Sequence, residues 1–262
     1  MKKKILAVFT AIPLMFVGWA VAFADGHEEE KPPWVTPVDT FTCSFKDGKD
    51  MDDLNDVIAD WNEFLDSKGV DDYGAMIMTP NYHGPDTFEF GWLGFWTSQE
   101  AMGAGIDMYR AEAASRFDAE FAKVSDCDTH EHWASINVND PGGTAPDTFV
   151  LMFSNCTRED GVEWDELFDR IKKAMDYQTE KGFEKGDWMM WPVFGGGGDP
   201  GWEFKWVTSF SNYTNLGKAY QHNANGGGRQ AMNEIMGKSL DCDAARVYNA
   251  RMIRRIPDAD AE

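Results

Sequence analysis

The chain repeats itself. CSFKDGKDMDDL at 43–54 matches CTREDGVEWDEL at 156–167 without a gap, so Cys43 and Cys156, like Gly48 and Gly161, stand 113 positions apart. DYGAMIMTP at 72–80 matches KGDWMMWP at 185–192, with Pro80 over Pro192. FEFGWLGFWTSQEAMG at 88–103 matches WEFKWVTSFSNYTNLG at 202–217, and SDCDTHEHWASINV at 125–138 matches LDCDAARVYNARMI at 240–253. Four blocks in one order at a nearly constant offset mark a tandem duplication, in which each half hides its apolar face against its sibling. The expected organisation is one repeat over 34–140, a turn-rich linker over 141–147, a second repeat over 148–256 and a tail over 257–262.

Ahead of the repeats, MKKKILAVFTAIPLMFVGWAVAFA has three lysines, an apolar run and then Ala22-Phe23-Ala24, the pattern of a secretory signal. Residues 1–24 are therefore expected to be removed, leaving an acidic linker over 25–33. An uncleaved anchor is the alternative, because the run is nearly long enough to span a bilayer. Removal leaves 21 basic against 45 acidic side chains, a net charge of −24. Such a surface is repelled by nucleic acid and by anionic lipid, which argues against a nucleic-acid partner and against a stable membrane partner after cleavage. The expected location is the bacterial periplasm or the exterior, where disulfides persist. With 14% aromatic residues and 14 Met, the chain has material for a core and is not a disordered acidic protein.

Each half reads as the same series of elements. TFVLMF before Cys156 suggests a strand, MDDLNDVIADWNEFLDSKG an amphipathic helix ending at glycine, and AMIMT and WMMWP short apolar strands. The blocks at 88–96 and 202–210 alternate like a third strand, 97–124 is helical by spacing, and ASINV is a last strand. The order βαββαβ, given twice, is α+β and ferredoxin-like: a four-stranded antiparallel sheet with both helices on one face. Two such sheets can cover each other's bare faces. The whole resembles the dimeric α+β barrel superfamily in a fused, single-chain form. FGWLGFWTSQEAMGAG, a strand passing into a helix through Thr-Ser-Gln-Glu, is similar to the strand-to-helix passage of antibiotic-biosynthesis-monooxygenase-like and stress-responsive barrel proteins.

That topology sets the end of the first strand beside the start of the fourth. It implies Cys43 paired with Cys127 and Cys156 with Cys242, one staple per repeat. His130 and His132 then lack a thiolate neighbour. They alternate onto one side of a strand with Asp128 and remain weak metal candidates, since Ala245 and Val247 replace them in the second half.

The resemblance implies a ligand between the sheets, so the third strands carry the argument. Phe88, Phe90, Trp92 and Trp96 share one side, as do Trp202, Phe204, Trp206 and Phe210, while Glu89 and Glu203 point the other way. If the aromatic side packs under helices, the interior presents Glu89, Gly91 and Leu93 against Glu203, Lys205 and Val207, with a proton-transfer group near Glu203 and Lys205. If that side is interior, the cavity is a box of rings for a flat ligand. Candidate ligand-binding residues are Trp92, Trp96, Trp188, Trp191, Trp206 and Tyr82; candidate catalytic residues are Glu89, Glu203 and His83. Gly195–Gly198 lead into a strand, which excludes a nucleotide-binding loop and leaves a hairpin opposite Tyr82, His83 and Pro85.

The favoured reading is a secreted or periplasmic fused barrel that binds a small apolar or aromatic molecule, with no readable catalytic motif. The alternative is an enzyme of cofactor-free monooxygenase, isomerase or cyclase type that uses a barrel carboxylate. The residues call for no cofactor; haem stays open through the resemblance and a metal ion through the two histidines. Further pairing of barrels into a homo-oligomer is also open. Edman sequencing of the exported protein is expected to begin at Asp25.

Overall fold

The computed structural model describes residues 34–85, 88–140, 142–143, 145–196 and 200–257. The expected signal segment and acidic linker lie outside them, as do parts of the 141–147 linker, the glycine cluster and the tail. The first half runs β1 (Val35–Phe45), α1 (Met51–Ser67), β2 (Tyr73–Tyr82), β3 (Phe90–Trp96), α2 (Gln99–Met108), a π turn (Tyr109–Ala113), α3 (Ala114–Val124) and β4 (Ser125–Asn139). The second runs β5 (Thr148–Arg158), α4 (Trp164–Glu180), β6 (Lys185–Phe194), β7 (Phe204–Phe210), α5 (Tyr213–Asn225), α6 (Gly228–Met236), β8 (Leu240–Cys242) and β9 (Arg246–Arg254). The fold is mixed α+β.

Local chemistry starts the helices where the sequence pattern placed them. Asp50 caps α1 by accepting from the amides of Asp52 and Asp53, while Asp53 reaches back to the Asp50 amide, a closed capping box. Ser98 caps α2 and Asn212 caps α5 in the same way, each accepting from the amide three residues on. The buried face of α1 is Leu54, Ile58, Trp61 and Leu65, and that of α4 is Leu167, Ile171, Ala174 and Met175. Both follow the helical period and press onto the sheet.

The strands close on themselves. Their order is β7-β6-β4-β1-β3-β2-β9-β5, and β5 pairs again with β7, so eight antiparallel strands form a barrel. Each half contributes a ferredoxin-like sheet, β4-β1-β3-β2 and β9-β5-β7-β6. These join edge to edge through β4 with β6 and β2 with β9. The short β8 extends the line of β9 along β5.

Apolar side chains divide between two sides of this cylinder. Phe90, Trp92 and Trp96 of β3 pack outward with Leu54, Trp61 and Phe117 under the helices. Met189 and Phe204 do the same against Leu167 and Ile171. Val38, Met78, Leu93, Trp133, Leu151, Phe153, Met190, Val207 and Tyr248 point inward and form a common interior cluster.

Cys43 opposes Cys127 across β1 and β4, after a register shift between Thr42 and Cys43 that leaves Asp128 unpaired. Cys156 opposes Cys242 across β5 and β8. Each disulfide closes a large loop, 84 residues in one case and 86 in the other. Replacing Cys156 and Cys242 together by alanine is expected to lower the unfolding free energy by about 2–4 kcal/mol, read as a fall in the urea midpoint.

Candidate functional site

The barrel interior is mostly apolar, and a group of polar and charged side chains gathers at one end. That end collects the C-terminal ends of β1, β2, β5 and β6 and the beginnings of β3, β4, β7 and β9. Period-two alternation turns Thr42, Thr129, Glu131, Asn155, Lys205 and Arg246 inward there, continuing the rows that begin with Val38, Trp133, Leu151, Val207 and Tyr248.

Lys205 is the centre of this group. Its ammonium lies 4.4 Å from the ring centre of Trp202 and 5.3 Å from that of Trp133, and the two indoles stack at 6.0 Å. Nζ donates to Asn155 Oδ1 at 2.8 Å. Asn155 in turn donates through its backbone amide and Nδ2 to the Asp243 carboxylate at 2.8 and 3.0 Å, and Arg246 donates to the same carboxylate at 2.6 Å. One chain of polar contacts thus links Lys205 to Arg246. Trp133 is fixed from behind, its indole N–H donating to Thr40 Oγ1 at 2.8 Å.

These surroundings tune the amine. Burial, with the Arg246 charge adding to it, pushes the Lys205 pKa down to about 8 against the opposing pull of Glu131 and Asp243. Partial burial raises the Asp243 carboxyl, but the Asn155 amide and then Arg246 outweigh it and hold the group below its ordinary value. Tyr248, stacked on Phe88 at 5.7 Å, is raised by burial.

The two halves supply unequal residues to equal places. Phe88 with Tyr248 and Trp202 with Trp133 are matching stacks under the repeat alignment, each joining the halves. Glu131 matches Arg246 and Thr42 matches Asn155. Lys205 matches Gly91, where an added Cβ would meet Met78 at 3.0 Å and Phe88 at 3.2 Å. The barrel end therefore carries its amine on one side alone.

The aromatic side of the third strands is the helix-facing one. Trp92 donates to Tyr73 OH at 2.8 Å, and Trp96 lies against Gly105 of α2, where an added Cβ would stand 2.0 Å from the ring. Trp206 donates to the buried Asp187 and Trp191 packs between Trp164 and Phe204. Of the six sequence-level ligand candidates, Trp188 alone is interior; Tyr82 is exposed at the end of β2. Alternation groups Phe88 and Trp202 with the outward rings, yet both turn inward. Ladder pairing begins only at Phe90 and Phe204, so strict alternation does not extend to the residues before them.

Glu89 and Glu203 take matching positions as caps on strand ends. Glu89 accepts from the Phe45 amide at 2.5 Å and Glu203 from the Arg158 amide at 2.8 Å. They precede strands on opposite sides of the ring, so the structure does not bring them together. His83 is exposed, its Nδ1 2.6 Å from Gly84 O. His130 stacks on Phe41 at 3.9 Å and His132 pairs with Asp39 at 3.1 Å, both on the outer face of β4. Among the described residues no group of three or more His, Cys, Asp or Glu side chains is placed to hold a metal ion. No helix among them is long and apolar enough to cross a membrane.

Sequence reasoning names Lys205 only under one of its two alternatives for the third strand and misses Trp133, Asn155, Asp243 and Arg246. The signal for the last two was the DCDAAR segment: the split between β8 and β9 there turns Asp243 and Arg246 onto the barrel end, where the first half has the unbroken β4.

No protein-family model and no curated sequence matches the chain. Among solved structures it is similar to a proposed monooxygenase from Fusobacterium nucleatum, with a TM-score of 0.52 and 10% identity over 84% of this chain and 93% of the other. It is also similar to an anthrone oxidase-like protein, at a TM-score of 0.49 and 12% identity over 87% and 97% of the two chains. A heme-binding protein from Thermus thermophilus matches at a TM-score of 0.47 and 12% identity over 84% and 93%. The likeness is one of fold, an α+β barrel built from ferredoxin-like sheets, formed here within one polypeptide.

A lysine whose folded pKa is lowered binds fewer protons than its unfolded counterpart between about pH 8 and the ordinary value of 10.5. Stability contributed at this position is thus lowest below pH 8 and rises through that window. The unfolding free energy of the wild type minus that of Lys205→Met is expected to climb from pH 8 to pH 10.5. A flat difference would contradict the assigned environment.

Proposed function

We propose that the chain is a small-molecule-binding barrel protein of an oxidising compartment, whose ligand is a small aromatic or apolar compound bearing an acidic group. The observation that carries this reading is Lys205 held against Trp133 and Trp202 at the end of a mostly apolar barrel. At neutral pH the amine is mostly protonated and supplies a cation for the acidic group, with Arg246 beside it. The indoles supply apolar surface, and a largely dehydrated site strengthens the charge contact. The tandem duplication belongs to the same proposal: a doubled unit lets one copy of each position diverge, and the matched disulfides and element order support it. So does export, for which the two disulfides speak.

A second reading, as an enzyme, is favoured by the same amine. A lysine titrating near 8 can accept a proton from a bound substrate at mildly alkaline pH, which an ordinary lysine does not do. Haem is less well accommodated. His130 and His132 point outward, His222 bonds Tyr177 in the helical layer at 2.8 Å and His83 is exposed, so the described residues offer haem iron no axial imidazole inside the barrel.

Titration with 1-naphthoate, followed by tryptophan fluorescence, tests the site. Quenching is expected to saturate, and Lys205→Met is expected to weaken binding about tenfold, the scale of one lost charge contact. Binding equal in wild type and variant would overturn the assignment. A Soret band in protein from its native source would favour the haem reading. Product formation that rises through pH 8 and vanishes in Lys205→Met would favour the enzyme.

A further inference from the structure

The barrel has two seams where the halves meet, and only one is filled. At the β4–β6 seam, Trp164 opens α4 and meets Trp191 of β6 edge to face at 5.8 Å, with Phe204 behind at 5.6 Å from Trp191. The repeat alignment puts Met51 where Trp164 stands and Thr79 where Trp191 stands. At the β2–β9 seam the two indoles are thus replaced by a thioether and a hydroxyl. A groove of about 370 Å³ lies there, outside the barrel, between the first residues of α1 and α5.

Its lining has a definite chemistry. Met51, Ile77 and Val150 give it apolar surface, and Thr79, Thr148 and Ser211 give hydroxyls. Tyr213 is braced at the rim, accepting from Asn81 Nδ2 at 2.6 Å and donating to Asn249 Oδ1 at 2.7 Å. The single charged lining residue is Arg251. It donates to the neutral Asn55 Oδ1 at 2.5 Å and has no carboxylate partner among the described residues. The other arginines of β9 and its extension each have one: Arg246 with Asp243, Arg254 with Asp66 and Arg255 with Asp147. In a chain with 45 acidic against 24 basic side chains, a guanidinium left without a carboxylate beside an apolar groove is placed to receive one from outside.

We propose that this groove is a second binding site, separate from the barrel end, for a small monocarboxylate with an apolar body. The carboxylate meets Arg251 and the apolar body lies over Ile77, Val150 and Met51. The volume is at the lower end of the range for small-molecule sites, which limits the ligand to a compact acid.

The test is isothermal titration of the full chain with octanoate and, as uncharged comparison, octanol. Octanoate is expected to bind one groove, and octanol at least about tenfold more weakly. Arg251→Gln is expected to weaken octanoate about tenfold. Thr79→Trp, which copies the filled seam, is expected to abolish binding, and Met51→Phe gives a milder filling should the tryptophan disturb folding. Lys205→Met is expected to leave octanoate affinity unchanged, so failure at the barrel end and failure here are separable. Absence of binding, or binding that survives both Arg251→Gln and the filling variants, would overturn the proposal. So would loss of binding in Lys205→Met with none in Arg251→Gln, since the acid would then sit at the barrel end.

Discussion

Hydrogen bonding across the two seams is the constraint on which the rest of the molecule depends. A four-stranded sheet has two edges, each a row of amide and carbonyl groups that must find partners or water. Here both edges of each sheet are joined to the other sheet, β4 to β6 and β2 to β9, which closes the cylinder. Closure also makes the interior rows continuous around the ring. Trp133 of one half can therefore meet Trp202 of the other, and Phe88 can meet Tyr248. Neither half could build the barrel end alone.

Closure from two similar halves makes departures from symmetry informative. The indole N–H of Trp92 is satisfied by the Tyr73 hydroxyl. The matching Trp206 donates instead to Asp187, which also receives Thr208 and the ammonium of Lys185, the residue in the place of Tyr73. The second half thus replaces a phenol by a fully enclosed ion pair, at 2.6 Å, to do the same task. Burial of both charges is costly unless each is hydrogen-bonded, and Asn139 completes the set at 3.2 Å from Asp187. This substitution lies under the helices. The two changes that open chemistry lie elsewhere: Gly91 against Lys205 at the barrel end, and Thr79 with Met51 against Trp191 with Trp164 at the seams.

The architecture was legible in the sequence because its cues are local and doubled. Helical spacing in 51–65 and 167–175 and apolar runs ahead of Pro80 and Pro192 each recur, and the reading of one half supports that of the other. The disulfide pairing followed from the topology. The site was less legible because its members converge from β4, β5, β7 and β9 and from the break before Arg246, and no local pattern records such a meeting. Aromatic alternation along 88–96 was readable, but both faces of a barrel strand are apolar, one to the helices and one to the interior. Composition therefore does not tell inside from outside. Lys205 could be placed inward only after the rings at Phe204 and Trp206 were known to face out.

The same geometry explains how so acidic a chain keeps Lys205 and Arg251 without a carboxylate partner among the described residues. On the surface, Lys46, Lys49 and Lys68 each meet a neighbouring carboxylate in exposed pairs that contribute little to stability. Lys205 and Arg251 are different. Lys205 contacts an amide oxygen and two indoles, and Arg251 an amide oxygen. A carboxylate of its own would neutralise such a cation and remove its attraction for a ligand. Neutral oxygens and rings hold the charge in position while leaving its field intact. Long-range repulsion from the acidic surface then slows the approach of anions but does not cancel the short-range contact once water is excluded. On the proposed reading, selection for an acidic compound at these points is local, resting on which cations lack a carboxylate and not on the net charge of the chain.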